Sequence, residues 1–130
     1  MQKVTATIEK DHYKTVLQSE TNTILADEPQ SAGGTDQGFS PDELLASALA
    51  ACTAITLRMY ADRKKYPLEQ IKVTVSVDWD KVNNKTVFKK TLHFFGNLQS
   101  EEIQRLREIA DKCPTHKALL NPIEIITNII

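Results

Sequence analysis

The chain has 130 residues, 41% hydrophobic and 25% charged, which fits one globular domain and leaves no room for two independent cores. With 16 basic against 17 acidic residues the formal net charge is −1, so no electrostatic surplus calls for nucleic acid or an anionic membrane as partner. No apolar stretch at the N-terminus resembles a signal peptide, and no run approaches the roughly 18 apolar residues of a membrane span, so a cytoplasmic location is expected.

Residues 2–8, 13–18 and 22–26 are short runs rich in β-branched residues and separated by turn-prone pieces, which predicts a three-stranded meander. From Asp27 to Phe39 the composition changes to Gly, Pro, Ser and acids without an apolar period, marking a long exposed loop of the kind that carries function. Ser40, Pro41 and Glu43 then supply an N-cap, a first-turn proline and the acid of a capping box, so a helix is expected from there to about Lys64. Its first turns, LLASALAACTAITL, are apolar or small nearly all round, which predicts burial on most sides and, in so short a chain, a dimer interface over part of it.

Pro67 ends the helical region, and Ile71, Val73, Val75, Val77 and Trp79 alternate as in a strand with one buried face. Residues 86–95 repeat the pattern less cleanly after the turn-forming DKVNNK, which together read as a hairpin. Ser100 is expected to cap a second helix whose Ile103, Leu106, Ile109, Ala110 and Cys113 share a face. Pro114 should open a short third helix that Asn121-Pro122 stops, and IEIITNII reads as a final strand. The order of elements indicates an α+β fold.

Two cysteines in a reducing compartment are either inert buried hydrophobes or a working thiol pair. Cys52 lies mid-helix among Leu45, Ala48, Leu49, Ile55, Thr56 and Met59, a setting that raises a thiol's pKa unless a cation or donor reaches it. Cys113 precedes Pro114, with His116 and Lys117 following, a setting in which easier ionisation is expected. Cys113 and His116 also form a C-x-x-H, but a zinc site would need Cys52 and His93 from elsewhere, where structural zinc sites bring paired ligands from two compact motifs. Asp42 and Glu43 complement the helix dipole, and Glu43 fits the capping box, which leaves Asp42 the less committed of the two carboxylates. Arg58 and Arg63 stand near the helix C-terminus, where cations are favoured, and neither reaches Cys52 along its own helix.

The stretch FSPDELLASALAACTAITLRMYADRK, followed about sixty residues later by CPTHKALL, resembles the OsmC/Ohr family, and the GGTD loop, the PLEQIKVTVSVDWD strand and the C-terminal segment fall in the family's order. The resemblance covers nearly the whole chain and is nearest to the OsmC-like branch, with SP-x-ELL before the first cysteine and CP-x-HK at the second. It implies an intertwined α+β homodimer in which the central helix is buried against antiparallel sheets, residues 1–130 form a single domain, and each cysteine pair comes from one chain. Cys52 would be the peroxidatic thiol and Cys113 the resolving one, reducing organic hydroperoxides with electrons from a lipoyl-like dithiol and without metal, flavin or haem. The family's carboxylate falls on Asp42, one methylene shorter than the usual glutamate. The family's arginine, which lies before the helix, has no counterpart upstream of Arg58; Lys10, His12, Lys14 or a partner's arginine are the available substitutes. The missing arginine favours the alternative, a non-catalytic relative that binds a hydrophobic small molecule or senses redox state.

Overall fold

The computed structural model describes residues 1–130 and divides into two compact units, Met1–Leu45 and Ala46–Ile130. In the first, β1 (Thr5–Ile8), β2 (Thr15–Gln18) and β3 (Thr23–Ala26) form the expected antiparallel meander, in register Thr7↔Val16 and Val16↔Leu25. The loop that follows contains a short 3₁₀ turn, Gln30–Ala32, and returns to the sheet through a bridge between Ala26 and Phe39.

That loop is organised around one carboxylate. Asp27, only 2% exposed, accepts hydrogen bonds from the backbone N–H groups of Tyr13 (3.0 Å), Glu28 (2.8 Å), Thr35 (3.4 Å) and Gln37 (3.1 Å) and from the Thr35 hydroxyl (2.6 Å). A buried charge with this many donors is the stable alternative to an unpaired one. The Thr35 hydroxyl does most to hold the Asp27 carboxyl far below its usual range; burial opposes it, and the Gln37, Tyr13 and Glu28 N–H groups reinforce it.

Helix α1 (Pro41–Lys64) begins as its sequence predicts, with Ser40 N–H donating to Glu43 Oε1 at 2.9 Å and Glu43 N–H donating to Ser40 Oγ at 3.2 Å. In the second unit, β4 (Leu68–Asp80) and β5 (Lys85–Gly96) pair in a long antiparallel hairpin. Asp80 closes its turn by accepting from Val82 N–H (3.1 Å), Asn83 N–H (3.2 Å) and Asn83 Nδ2 (2.8 Å), and Asn84 takes the left-handed backbone, φ 51°. Gly96 ends β5 at φ 135°, where a side chain would also collide with the Pro67 carbonyl. Helix α2 (Ser100–Ala110) and helix α3 (Pro114–Leu120) follow. The core is shared by α1, the hairpin and α2, with Leu57, Tyr60, Ala61, Leu68, Leu106, Ile109 and Ala110 buried together. Arg58 ties α1 to the start of β4, donating to the carbonyls of Leu68 (2.8 Å) and Glu69 (3.2 Å).

Four expectations require correction. The cap of α2 is Gln99, whose N–H donates to Glu102 Oε1 at 2.9 Å, and Ser100 is already helical. Burial of α1 is one-sided within a single chain: Leu49, Thr53, Leu57, Tyr60 and Ala61 are covered, whereas Leu45, Ile55 and Met59 are exposed. Residues 121–130 form no strand and are exposed throughout, because an isolated strand needs a ladder partner for its N–H and C=O groups and no strand of this chain supplies one. Finally, by length and composition alone α1 is apolar enough to cross a membrane, with a mean hydropathy of 1.5 over its most apolar stretch despite the Ser and Thr residues that interrupt the run, a property that the core helix of a soluble protein shares.

The depressed Asp27 carboxyl contributes stability that is fully present above the unfolded value of about 3.9 and is lost as the pH falls toward the lower folded value. Thermal melts should therefore show the wild type losing midpoint steadily below about pH 4. The Asp27→Asn variant should melt several degrees lower at pH 7 with a shallower acid dependence. Identical melts of the two proteins at pH 7 would contradict the role given to this carboxylate.

Candidate functional site

The core packing brings the middle of α1 against the junction of α2 and α3, and both cysteines lie at that contact as free thiols. Cys113 is the N-cap of α3 and is fully buried, its sulfur accepting from His116 N–H at 3.3 Å and lying 3.5 Å from Thr53 Oγ1. Cys52 is half-buried. Burial pushes its thiol up, but the Thr115 hydroxyl and backbone N–H, with smaller contributions from the Cys113 thiol and the Thr56 hydroxyl, outweigh it and hold Cys52 below the usual thiol range. The Cys113 thiol is thus one of the neighbours that hold Cys52 below the usual thiol range.

A lysine completes the cluster. Lys90 sits on the inward face of β5, in series with Phe88, Leu92 and Phe94 and opposite Val75 of β4. Its side chain is 10% exposed, and its ammonium donates to the Ala110 carbonyl (2.7 Å), Thr53 Oγ1 (3.2 Å) and His116 Nδ1 (3.2 Å), with Asp111 Oδ1 at 3.6 Å. Three N–H donors meet three acceptors, the condition for keeping an ammonium in a low-dielectric place.

Of the residues singled out from sequence, Cys52 and Cys113 are brought together. Asp42 is an exposed residue of the first unit, in the opening turn of α1. His93 is on the outward face of β5, its ring tilted against that of Phe95 with centroids 4.1 Å apart, and His116 Nδ1 is occupied by Lys90, so the pieces of the zinc alternative do not converge. No three His, Cys, Asp or Glu side chains are arranged to hold a metal ion. Thr53, Thr115, Lys90 and Asp111 were not among the sequence candidates. Lys90 had a legible signal, a lysine at a position where strand alternation asks for an apolar residue. The threonines had none, since nothing in a helical pattern tells a hydroxyl aimed at a thiol from one on any other face.

Removing the Thr115 hydroxyl should raise the Cys52 pKa. A hydrogen bond to a charged group is worth about 1.5–3 kcal/mol, and partial exposure of Cys52 reduces this, so Thr115→Val should titrate roughly half a unit to one unit higher. Thiolate absorbance near 240 nm, followed in a background of Cys113→Ser, measures it; an unchanged midpoint would remove Thr115 from the site.

The OsmC-like protein family model matches residues 34–128. No curated protein sequence matches the chain. Among solved structures, an OsmC-like protein from Mycoplasma pneumoniae superposes with a TM-score of 0.76 at 20% identity, over 92% of this chain and 87% of that one. The organic hydroperoxide resistance protein OsmC from Legionella pneumophila gives 0.66 at 23% identity, over 92% and 88%. The organic hydroperoxide resistance protein OhrB of Bacillus subtilis gives 0.61 at 26% identity, over 91% and 89%. With a family match across most of its length and these structures sharing its α+β arrangement of helices and antiparallel sheets, the chain belongs to the OsmC-like protein family.

Proposed function

We propose that this protein is a thiol-dependent hydroperoxide reductase in which Cys52 attacks the peroxide and Cys113 resolves the product. The observation that carries the assignment is the asymmetry of the two thiols: Cys52 is partly accessible and held below the usual thiol range, while its neighbour Cys113 is fully buried. A peroxidatic thiol needs both thiolate character and access, and a resolving thiol needs only proximity. The name of the Bacillus subtilis protein, organic hydroperoxide resistance, supports the choice of substrate class.

In this mechanism the Cys52 thiolate attacks one peroxide oxygen and the O–O bond breaks; the alkoxide leaves and takes up a proton as alcohol, and Cys52 becomes a sulfenic acid. The Cys113 thiol condenses with it, the sulfenic hydroxyl leaving as water with the Cys113 proton, and a disulfide forms. A lipoyl-like dithiol then restores both thiols by exchange. Asp42 enters only by resemblance to the family's carboxylate position.

The protein acts as a homodimer in this account. The stripe Ala48, Ala51, Ile55 and Met59 recurs at helical spacing on the exposed side of α1, next to Cys52, and a second copy covering it would surround the thiol with apolar side chains. Such walls favour organic hydroperoxides over hydrogen peroxide.

The test is consumption of cumene hydroperoxide by the reduced protein with dihydrolipoamide. Wild type should turn over, Cys52→Ser should fall to the rate of the dithiol alone, and Cys113→Ser should retain one turnover and accumulate a sulfenic acid that dimedone traps. Wild-type consumption no faster than the dithiol alone would overturn the enzyme assignment and favour a ligand-binding member of the same fold.

A further inference from the structure

We propose that Lys90 is a positioning residue for the cysteine pair, the cationic end of a directed hydrogen-bond chain that runs through Thr53 to Cys113, the thiol beside Cys52. The proposal deepens the peroxidase assignment above and rests on it for the roles of the two thiols.

The direction of the chain follows from counting protons. A lysine ammonium has three donors and no acceptor. Each donor of Lys90 has its own oxygen or nitrogen: the Ala110 carbonyl, Thr53 Oγ1 and His116 Nδ1. Thr53 Oγ1 is therefore an acceptor toward Lys90, and its single hydroxyl proton goes to the remaining neighbour, Cys113 Sγ at 3.5 Å. The Cys113 sulfur accepts a second hydrogen bond from His116 N–H at 3.3 Å. With two donors aimed at its sulfur, Cys113 keeps its own S–H for a further acceptor, and Cys52 is the thiol beside it.

The placement is costly for any purely structural purpose. Lys90 occupies an inward strand position between Phe88 and Leu92, where an aliphatic residue would pack without desolvating a charge. Its ion pair with Asp111 explains little, since Asp111 is more than half exposed and 3.6 Å away. The titratable groups around the chain are Asp111, Cys113 and His116 from the α2–α3 junction, Cys52 from α1 and Lys90 itself from β5. Lys90 supplies a positive group beside the pair in a chain that has no arginine before Arg58.

The experiment compares the pH dependence of Cys52 alkylation by iodoacetamide, read by peptide mass spectrometry on the reduced full-length protein. Lys90→Met should move the half-alkylation pH of Cys52 up by about one unit, a roughly tenfold slower reaction near neutrality. Thr53→Val, which cuts the chain while leaving the cation, should shift it in the same direction, and Thr53→Ser, which restores the hydroxyl, should return it to the wild-type profile. Should Lys90→Met fail to fold, the Thr53→Val and Thr53→Ser pair decides. Wild-type profiles in Lys90→Met and Thr53→Val, or in Thr53→Val alone where the lysine variant cannot be read, would overturn the proposal even if the protein consumes hydroperoxide. Shifted profiles in a wild type and variants that consume none would uphold the chain and sink only the peroxidase assignment.

Discussion

Helix α1 must cross the face of the β4–β5 hairpin and pack on α2, and Leu57, Ala61, Leu106 and Ala110 make that contact with essentially no solvent between them. The arrangement around the thiols depends on this packing. Thr53 is one turn before Leu57, so the contact that buries Leu57 also turns Thr53 and its neighbour Cys52 toward the end of α2. Ala110 is in that end, its carbonyl accepts from Lys90, and Cys113 follows within one turn. A shift of α1 against α2 would separate the cysteines and remove an acceptor from a buried ammonium at the same time. Close packing resists such a shift because interdigitated side chains have few intermediate arrangements.

Within that frame the two thiols receive different electrostatic treatment. Both are partly or wholly removed from water, which by itself would leave each protonated and inert. Cys52 is rescued by Thr115, with smaller contributions from Cys113 and Thr56, while Cys113 is buried beside the Thr53 hydroxyl and accepts from His116 N–H. A two-cysteine reductant requires different settings for its thiols, because the one that attacks must ionise and the one that resolves must lie close enough to condense with it. The first unit contributes a different solution to the same problem of buried charge, with Asp27 gathering four backbone donors and one hydroxyl to fix the loop after β3.

Much of this was legible in the sequence wherever the determinant is local. The capping residues Ser40 and Glu43, the alternation from Ile71 to Val77, the turn at Asn83-Asn84 and the helix start at Pro114 each depend on neighbours in the chain, and the elements they announce are present. The second helix was legible in its apolar period but its cap slipped by one residue, because Gln99 serves through Glu102 where a serine was expected to serve alone. The tail with its alternating isoleucines could not be read correctly from pattern, since alternation reports strand propensity and not the existence of an edge to pair with. The same limit hid Thr53 and Thr115. Their importance comes from what faces them across the core, and only Lys90, a charge in an apolar series, left a mark of that tertiary role in the linear pattern.

The central claim is that Cys52 and Cys113 of one chain are a working redox pair, and the most direct measurement is to add one equivalent of cumene hydroperoxide to the reduced protein, quench with acid and map peptides without reduction. A single product linking the Cys52 and Cys113 peptides, within a chain whose mass falls by about 2 Da for the two hydrogens lost, is the result the structure predicts. Unmodified thiols, or Cys52 carried to sulfinic acid with Cys113 still free, would contradict it, because a resolving thiol that lies beside Cys52 has no reason to be bypassed.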